Sequence, residues 1–174
     1  MPKIRDSNFQ CPTGFDRRKL HHWIAFGFGS GLAPKAPGTF GTLAAIPIYL
    51  LMSPLAWPYY LGLVILFSLI GIWACDRTAR ELGAKDPAAI VWDEFVGFFI
   101  TMLVVPYSLL MSAQGWVWVL AGVLAFRLFD IWKPWPIQVI DERVGGGLGI
   151  MLDDILAGIM AALTLLVLQR LLTS

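Results

Sequence analysis

Charge is what this sequence lacks over its longest stretches. Residues 36–75, 95–126 and 155–169 contain no Asp, Glu, Lys or Arg, so half of the 174-residue chain is uncharged. An uncharged run of 40 residues is too long for a core helix and fits two membrane crossings joined by a turn. Cysteine is scarce: Cys11 and Cys75 supply neither a disulfide framework nor a C-x-x-C pair. The net charge of +1 leaves no strongly basic face, which excludes nucleic acid as a partner. The first twenty residues hold no apolar stretch, so no cleavable signal peptide is expected. Repeats at solenoid periods and low-complexity tracts are also missing. What remains is apolar: 57% hydrophobic residues against 14% charged, and a mean hydropathy of +0.70. That excludes a disordered or fibrous chain and predicts an integral membrane protein.

The expected fold is an all-α, multi-pass membrane helical bundle. Residues 1–20 read as a polar N-terminal tail and residues 21–174 as a single membrane-embedded catalytic domain. Between His21 and Gly41 the chain is broken by Gly and Pro yet apolar. Such a segment predicts a re-entrant or interfacial loop before the first apolar helix, because irregular backbone near lipid must be buried in protein or line a wet cavity. Five apolar segments follow, at 40–53, 55–75, 95–111, 116–126 and 155–169. Several are shorter than the roughly 20 residues of a full crossing, which leaves three to five crossings open. The connectors Ser53–Pro58 and Ser112–Gly115 carry no positive charge, whereas the tail, residues 76–94 and residues 127–154 carry almost all Lys and Arg. By the positive-inside rule the charged connectors are cytoplasmic. Trp57, Trp116 and Trp118 then mark the outer interface, and Trp23, Trp73, Trp92, Trp132 and Trp135 the inner one.

Four polar clusters sit at the cytoplasmic ends of these segments. The first runs from Ser30-Gly31 to Pro37-Gly38-Thr39 and includes Lys35; exposed N–H groups ahead of a helix suit an anion, and a capped turn is the plainer reading. The second is Asp93-Glu94, at the head of an apolar run. Each charge within a span costs about 2.5–3.5 kcal/mol on insertion scales, so two adjacent carboxylates need more than a helix N-terminus to justify them. The third is Arg127, Asp130 and Lys133, nearly aligned on one helix face before Pro134. The fourth is the glycine run 145–149, expected as a flexible loop, with Asp153-Asp154 at the start of the last helix. Together they bring five acids, Asp93, Glu94, Asp130, Asp153 and Asp154, to one membrane face with fewer cations. A surplus of hard oxygen ligands suggests a divalent cation, Mg²⁺ above all, and the cations and Gly-rich loops beside it suggest chemistry on a phosphate ester.

Known phosphatase nucleophiles do not fit the residues. Histidine is limited to His21 and His22, no D-x-D-x-[TV] or Walker A string occurs, and the C-x5-R string from Cys11 to Arg17 sits in the polar tail without a preceding strand. Direct attack by metal-activated water is left.

The segments GFGSGLAPKAPGTFGTLAAIP (27–47), IVWDEFVGFFIT (90–101), FRLFDIWKPWPI (126–137) and GGLGIMLDDILAG (146–158) resemble, in order and spacing, the phosphatidylglycerophosphatase A family of bacterial Mg²⁺-dependent lipid phosphatases. The resemblance implies an all-helical enzyme of the bacterial inner (cytoplasmic) membrane that hydrolyses the terminal phosphate monoester of phosphatidylglycerophosphate at the cytoplasmic face. It implies Asp93, Glu94, Asp130 and Asp154 as Mg²⁺ ligands, Asp153 as a fifth ligand or supporting acid, and Asp93, Asp130, Arg127 and Lys133 as the catalytic set. Arg127, Lys133, Lys35, Gly38 and Thr39 would receive the phosphate. A Mg²⁺-dependent phosphatase of another lipid phosphate, a small transporter or channel subunit, and a non-catalytic scaffold are the alternatives; oligomeric state is left open.

Overall fold

Proline and glycine set where the helices start and stop. The computed structural model describes residues 14–173, and among them every regular element is helical. A six-residue helix α1 (Leu20–Ala25) leads through a 3-10 turn (Gly27–Leu32) to α2 (Pro37–Met52). Ala36 adopts a left-handed conformation at φ 47°, and Pro37 then occupies the first turn of α2, where its missing N–H costs nothing. Pro58 likewise falls in the first turn of α3 (Trp57–Leu82), which ends on left-handed Gly83. Helix α4 (Trp92–Met102) is short; Pro106 separates it from the single turn α5 (Tyr107–Leu110). Helices α6 (Gly115–Trp132), α7 (Ile137–Arg143) and α8 (Gly146–Thr173) complete the chain.

Three helices, α3, α6 and α8, are long and apolar enough to cross a membrane, within the three to five expected. Segment 95–111 forms no helix of crossing length: α4 is 11 residues long and almost wholly buried in the bundle, and the single turn α5 follows it. Helix α4 is the core, packed on by α2, α3, α6 and α8. Water exclusion cannot drive helices together where the surroundings are already apolar, so close backbone approach must. Gly97 on α4 and Gly158 on α8 supply it: a Cβ at Gly158 would lie 2.5 Å from the Gly97 carbonyl oxygen. Thr101 Oγ donates back to that same oxygen at 2.9 Å. The outward faces of α3, α6 and α8 present Leu66, Leu69, Leu128, Leu163 and Val167, the surface expected toward lipid.

Several sequence expectations shift. The Gly/Pro-rich segment before α2 is not irregular throughout, since α1 and the 3-10 turn order it against α2, α3 and α4. The glycine run is not a loop: α8 begins at Gly146, and Asp76 of α3 accepts the Gly147 N–H at 3.1 Å, satisfying one of its first-turn donors. Asp153 and Asp154 therefore lie two turns inside α8 rather than at its start. Trp92 and Trp118, expected in the aromatic belts, are buried packing residues. Cys11, which opens the C-x5-R string, and the tail residues Lys3, Arg5 and Asp6 lie outside the described residues.

Candidate metal and phosphate site

The centre of the bundle's charged end is built where α2, α4, α6 and α8 meet. Asp93 and Glu94 occupy the first turn of α4, where the helix dipole favours negative charge. That turn is pinned from both sides: the Val91 N–H donates to the Ala25 carbonyl at 2.8 Å, and Trp92 Nε1 to the Phe67 carbonyl at 3.0 Å. Asp154 reaches the same point from the third turn of α8. One oxygen from each of Asp93, Glu94 and Asp154 falls within 4.8 Å of the others, and all three residues are buried. Asp93 Oδ1, Glu94 Oε2 and Asp154 Oδ2 are buried without a hydrogen-bond partner.

Arg127 and Asp130 come from the last turns of α6. Arg127 Nη1 lies 2.5 Å from Asp130 Oδ2 and 3.5 Å from Glu94 Oε1, while its Nε is buried and unpartnered. Gly38, at the start of α2, faces this pair: a Cβ there would collide with Glu94 Oε1 and come 2.8 Å from Arg127 Nη1. A side chain at this position would displace the Glu94 carboxylate and the Arg127 guanidinium from where they now lie. The N-terminal end of α2, with its positive dipole, points into the same junction.

The remaining expected residues fall elsewhere. Lys133, in a left-handed conformation just past α6, bridges Asp153 Oδ2 at 2.7 Å and Asp141 Oδ1 at 3.1 Å. Burial works against its charge, but the hydrogen bonds and attraction from Asp153 and Asp141 outweigh it and hold the ammonium above the ordinary lysine range. Asp153 is therefore turned toward Lys133 rather than into the trio of Asp93, Glu94 and Asp154. Asp130 is engaged with Arg127 at the trio's edge. The Thr39 N–H is taken by the Ala36 carbonyl at 3.0 Å. Lys35 is exposed on the turn before α2. Sequence reasoning missed Asp141, which sits on the short α7 and carries no motif signal of its own.

Three carboxylates this close in a low-dielectric interior repel one another unless a proton or cation lies between them. Arg127 supplies one positive charge and already serves Asp130. Three partnerless, buried, hard oxygens are a donor set suited to Mg²⁺. The site's chemistry therefore fits a divalent cation, with Arg127 and the start of α2 beside it.

The chain is similar to proteins of known family. The family model for phosphatidylglycerophosphatase A matches residues 23–169. A protein named phosphatidylglycerophosphatase A from Escherichia coli (strain K12) is 49% identical over 141 residues, covering 81% of this chain and 78% of that protein. One of the same name from Haemophilus influenzae is 42% identical over 149 residues, covering 85% of this chain and 88% of its own length. A Bacteroides thetaiotaomicron protein named "Putative phosphatidylinositol-3-phosphatase" is 42% identical over 143 residues, covering 78% of this chain and 85% of its own. No solved structure matches. With the family match running from within α1 to the last turns of α8 and taking in every residue of the buried junction, the chain belongs to the phosphatidylglycerophosphatase A family.

Proposed function

We propose that this chain removes the terminal phosphate of phosphatidylglycerophosphate, by hydrolysis at the cytoplasmic face of the membrane with Mg²⁺ at Asp93, Glu94 and Asp154. Family membership supports a phosphatase acting on a lipid phosphate, and the three crossing-length helices support its place in a membrane. The observation that carries the site assignment is the trio of buried, mutually close carboxylates, each with an oxygen lacking a partner.

Asp93, Glu94 and Asp154 would hold the ion. Bound there, Mg²⁺ supplies Lewis-acid polarisation of a phosphoryl oxygen and lowers the pKa of a coordinated water. Arg127 receives the phosphoryl oxygens through its unpartnered Nε, and Asp130 fixes the guanidinium plane for that contact. Gly38 keeps the space beside Arg127 clear of side chain, and the positive end of the α2 dipole adds to the attraction. Lys133 locks Asp153 and Asp141 together, tying α7 to α8 behind the site. The concentration of Lys and Arg in the connectors at this end of the helices supports the cytoplasmic orientation.

The Bacteroides relative's name makes a second lipid class worth an arm of the test. Purified full-length protein in detergent, given phosphatidylglycerophosphate, phosphatidate and phosphatidylinositol 3-phosphate in turn, should release phosphate chiefly from the first. Equal or greater release from phosphatidylinositol 3-phosphate would transfer the assignment to that lipid.

A further inference from the structure

We infer that the acyl chains of the phosphorylated lipid lie in the seam between α2 and α6, which is the lateral door to the buried site; this rests on the lipid-phosphatase reading above. Helix α4 is ringed in order by α2, α6, α8 and α3. The α6–α8 and α8–α3 seams are closed by extensive packing. The α2–α3 seam is covered at the charged end by α1 and the 3-10 turn: Phe28 packs on Trp92 and Phe95, with ring centres 5.8 and 6.4 Å apart, and His21 on Trp73 at 6.0 Å. Its other end is bridged by Tyr49 and Tyr60 at 6.5 Å. Direct contact is sparse both between α2 and α3 and between α2 and α6, and it is the second seam that lies beside Arg127, where the guanidinium meets Glu94 next to Gly38.

That open seam is the one whose upper end is the Gly38–Arg127–Glu94 junction. On α2, Gly41 faces Val91 and Gly38 faces Arg127, so the rows turned toward α6 continue through Ile46 and Leu50. On α6 the row of Arg127 continues through Leu124 and Leu120. Leu50, Leu120 and Leu124 are exposed and Ile46 is half-buried, giving two apolar walls that run from the guanidinium toward mid-membrane. A diacyl lipid fits this layout from both ends: an anionic headgroup meets Arg127 while its tails continue along surfaces of their own polarity.

The test is photo-crosslinking of the reconstituted full-length protein with phosphatidylglycerophosphate carrying a diazirine midway along one acyl chain, with and without excess unlabelled lipid. Adducts displaced by the competitor should map to α2 and α6, around Ile46, Leu50, Leu120 and Leu124. Adducts at Leu66 of α3 and Leu163 of α8 should be unaffected by competitor, as ordinary annular lipid. A companion variant, Leu120→Trp, should raise KM for long-chain substrate by about tenfold while leaving a dihexanoyl analogue within about twofold; Leu66→Trp should change neither. Displaceable adducts on α3 or α8, or none on α2 and α6, overturn the seam. If the unmodified protein releases no phosphate yet shows displaceable labelling on α2 and α6, the reaction assignment falls and the seam stands. Turnover without that labelling overturns the seam alone.

Discussion

Among the described residues, two clusters bring three ligand-capable side chains within 4.8 Å of one another, and they differ in how their charge is met. Glu81 is surrounded by donors: Lys19 Nζ at 2.7 Å, His22 Nε2 at 3.0 Å, His21 Nε2 at 3.2 Å and Arg77 Nε at 3.6 Å. His22 Nδ1 accepts the Asp16 N–H at 3.0 Å, so its proton lies on Nε2 and is donated to Glu81. Neither ring nitrogen of His22 is then free to bind a metal. The Asp93, Glu94 and Asp154 cluster is the reverse, three buried acids with partnerless oxygens and one shared guanidinium. Ligand types at ligand spacing therefore mark a site only where their demand for charge or hydrogen bonds is unmet. The first cluster ties the chain before α1 to α3; the second is the proposed cation site.

The sharpest way to break this contrast is to remove one acid. Asp154→Asn keeps shape and removes charge, and phosphate release should fall about a thousandfold, the scale of losing one preorganised electrostatic partner. Helical content by circular dichroism should be unchanged. Arg127→Lys comes next: a point charge replaces the fork that meets Asp130 and Glu94, and kcat/KM should drop about a hundredfold. Lys133→Met leaves Asp153 and Asp141 without their cation. It should lower stability to denaturant by about 2 kcal/mol, the value of a charge-assisted hydrogen bond, with a smaller loss of turnover than Arg127→Lys. Glu81→Gln should have the least effect on chemistry, within about threefold, while proteolysis around residues 14–25 accelerates as the network holding that segment loosens. A loss of activity in Glu81→Gln as large as in Asp154→Asn would erase the distinction between the clusters.

Much of this arrangement is legible in the amino-acid order, because lipid enforces a simple code. Uncharged runs mark helices, and carboxylates at their ends stand out against a background that penalises them. That is enough to single out Asp93, Glu94, Asp130, Arg127 and Asp154. Helix ends were harder to read. Five residues of glycine and leucine, 145–149, look like a loop until Asp76, 71 residues before Gly147, is seen accepting the Gly147 N–H inside α8. The division of labour among the acids is also tertiary. Spacing alone cannot say that Asp153 turns to Lys133 while its neighbour Asp154 turns to Glu94, since adjacent helical residues point about 100° apart. Nor does anything local to His21, His22 or Glu81 announce their meeting, which joins segments some 60 residues apart.

The central claim is that Asp93, Glu94 and Asp154 jointly bind a divalent cation. The most direct measurement is thermal unfolding of the detergent-solubilised full-length protein during Mg²⁺ titration, since any ligand that binds only the folded state raises Tm. The unaltered protein should gain stability in a saturable manner that chelator reverses, and Asp93→Asn and Asp154→Asn should lose that gain while Glu81→Gln keeps it. Equal stabilisation of all four proteins, or none in the unaltered one, would contradict the account.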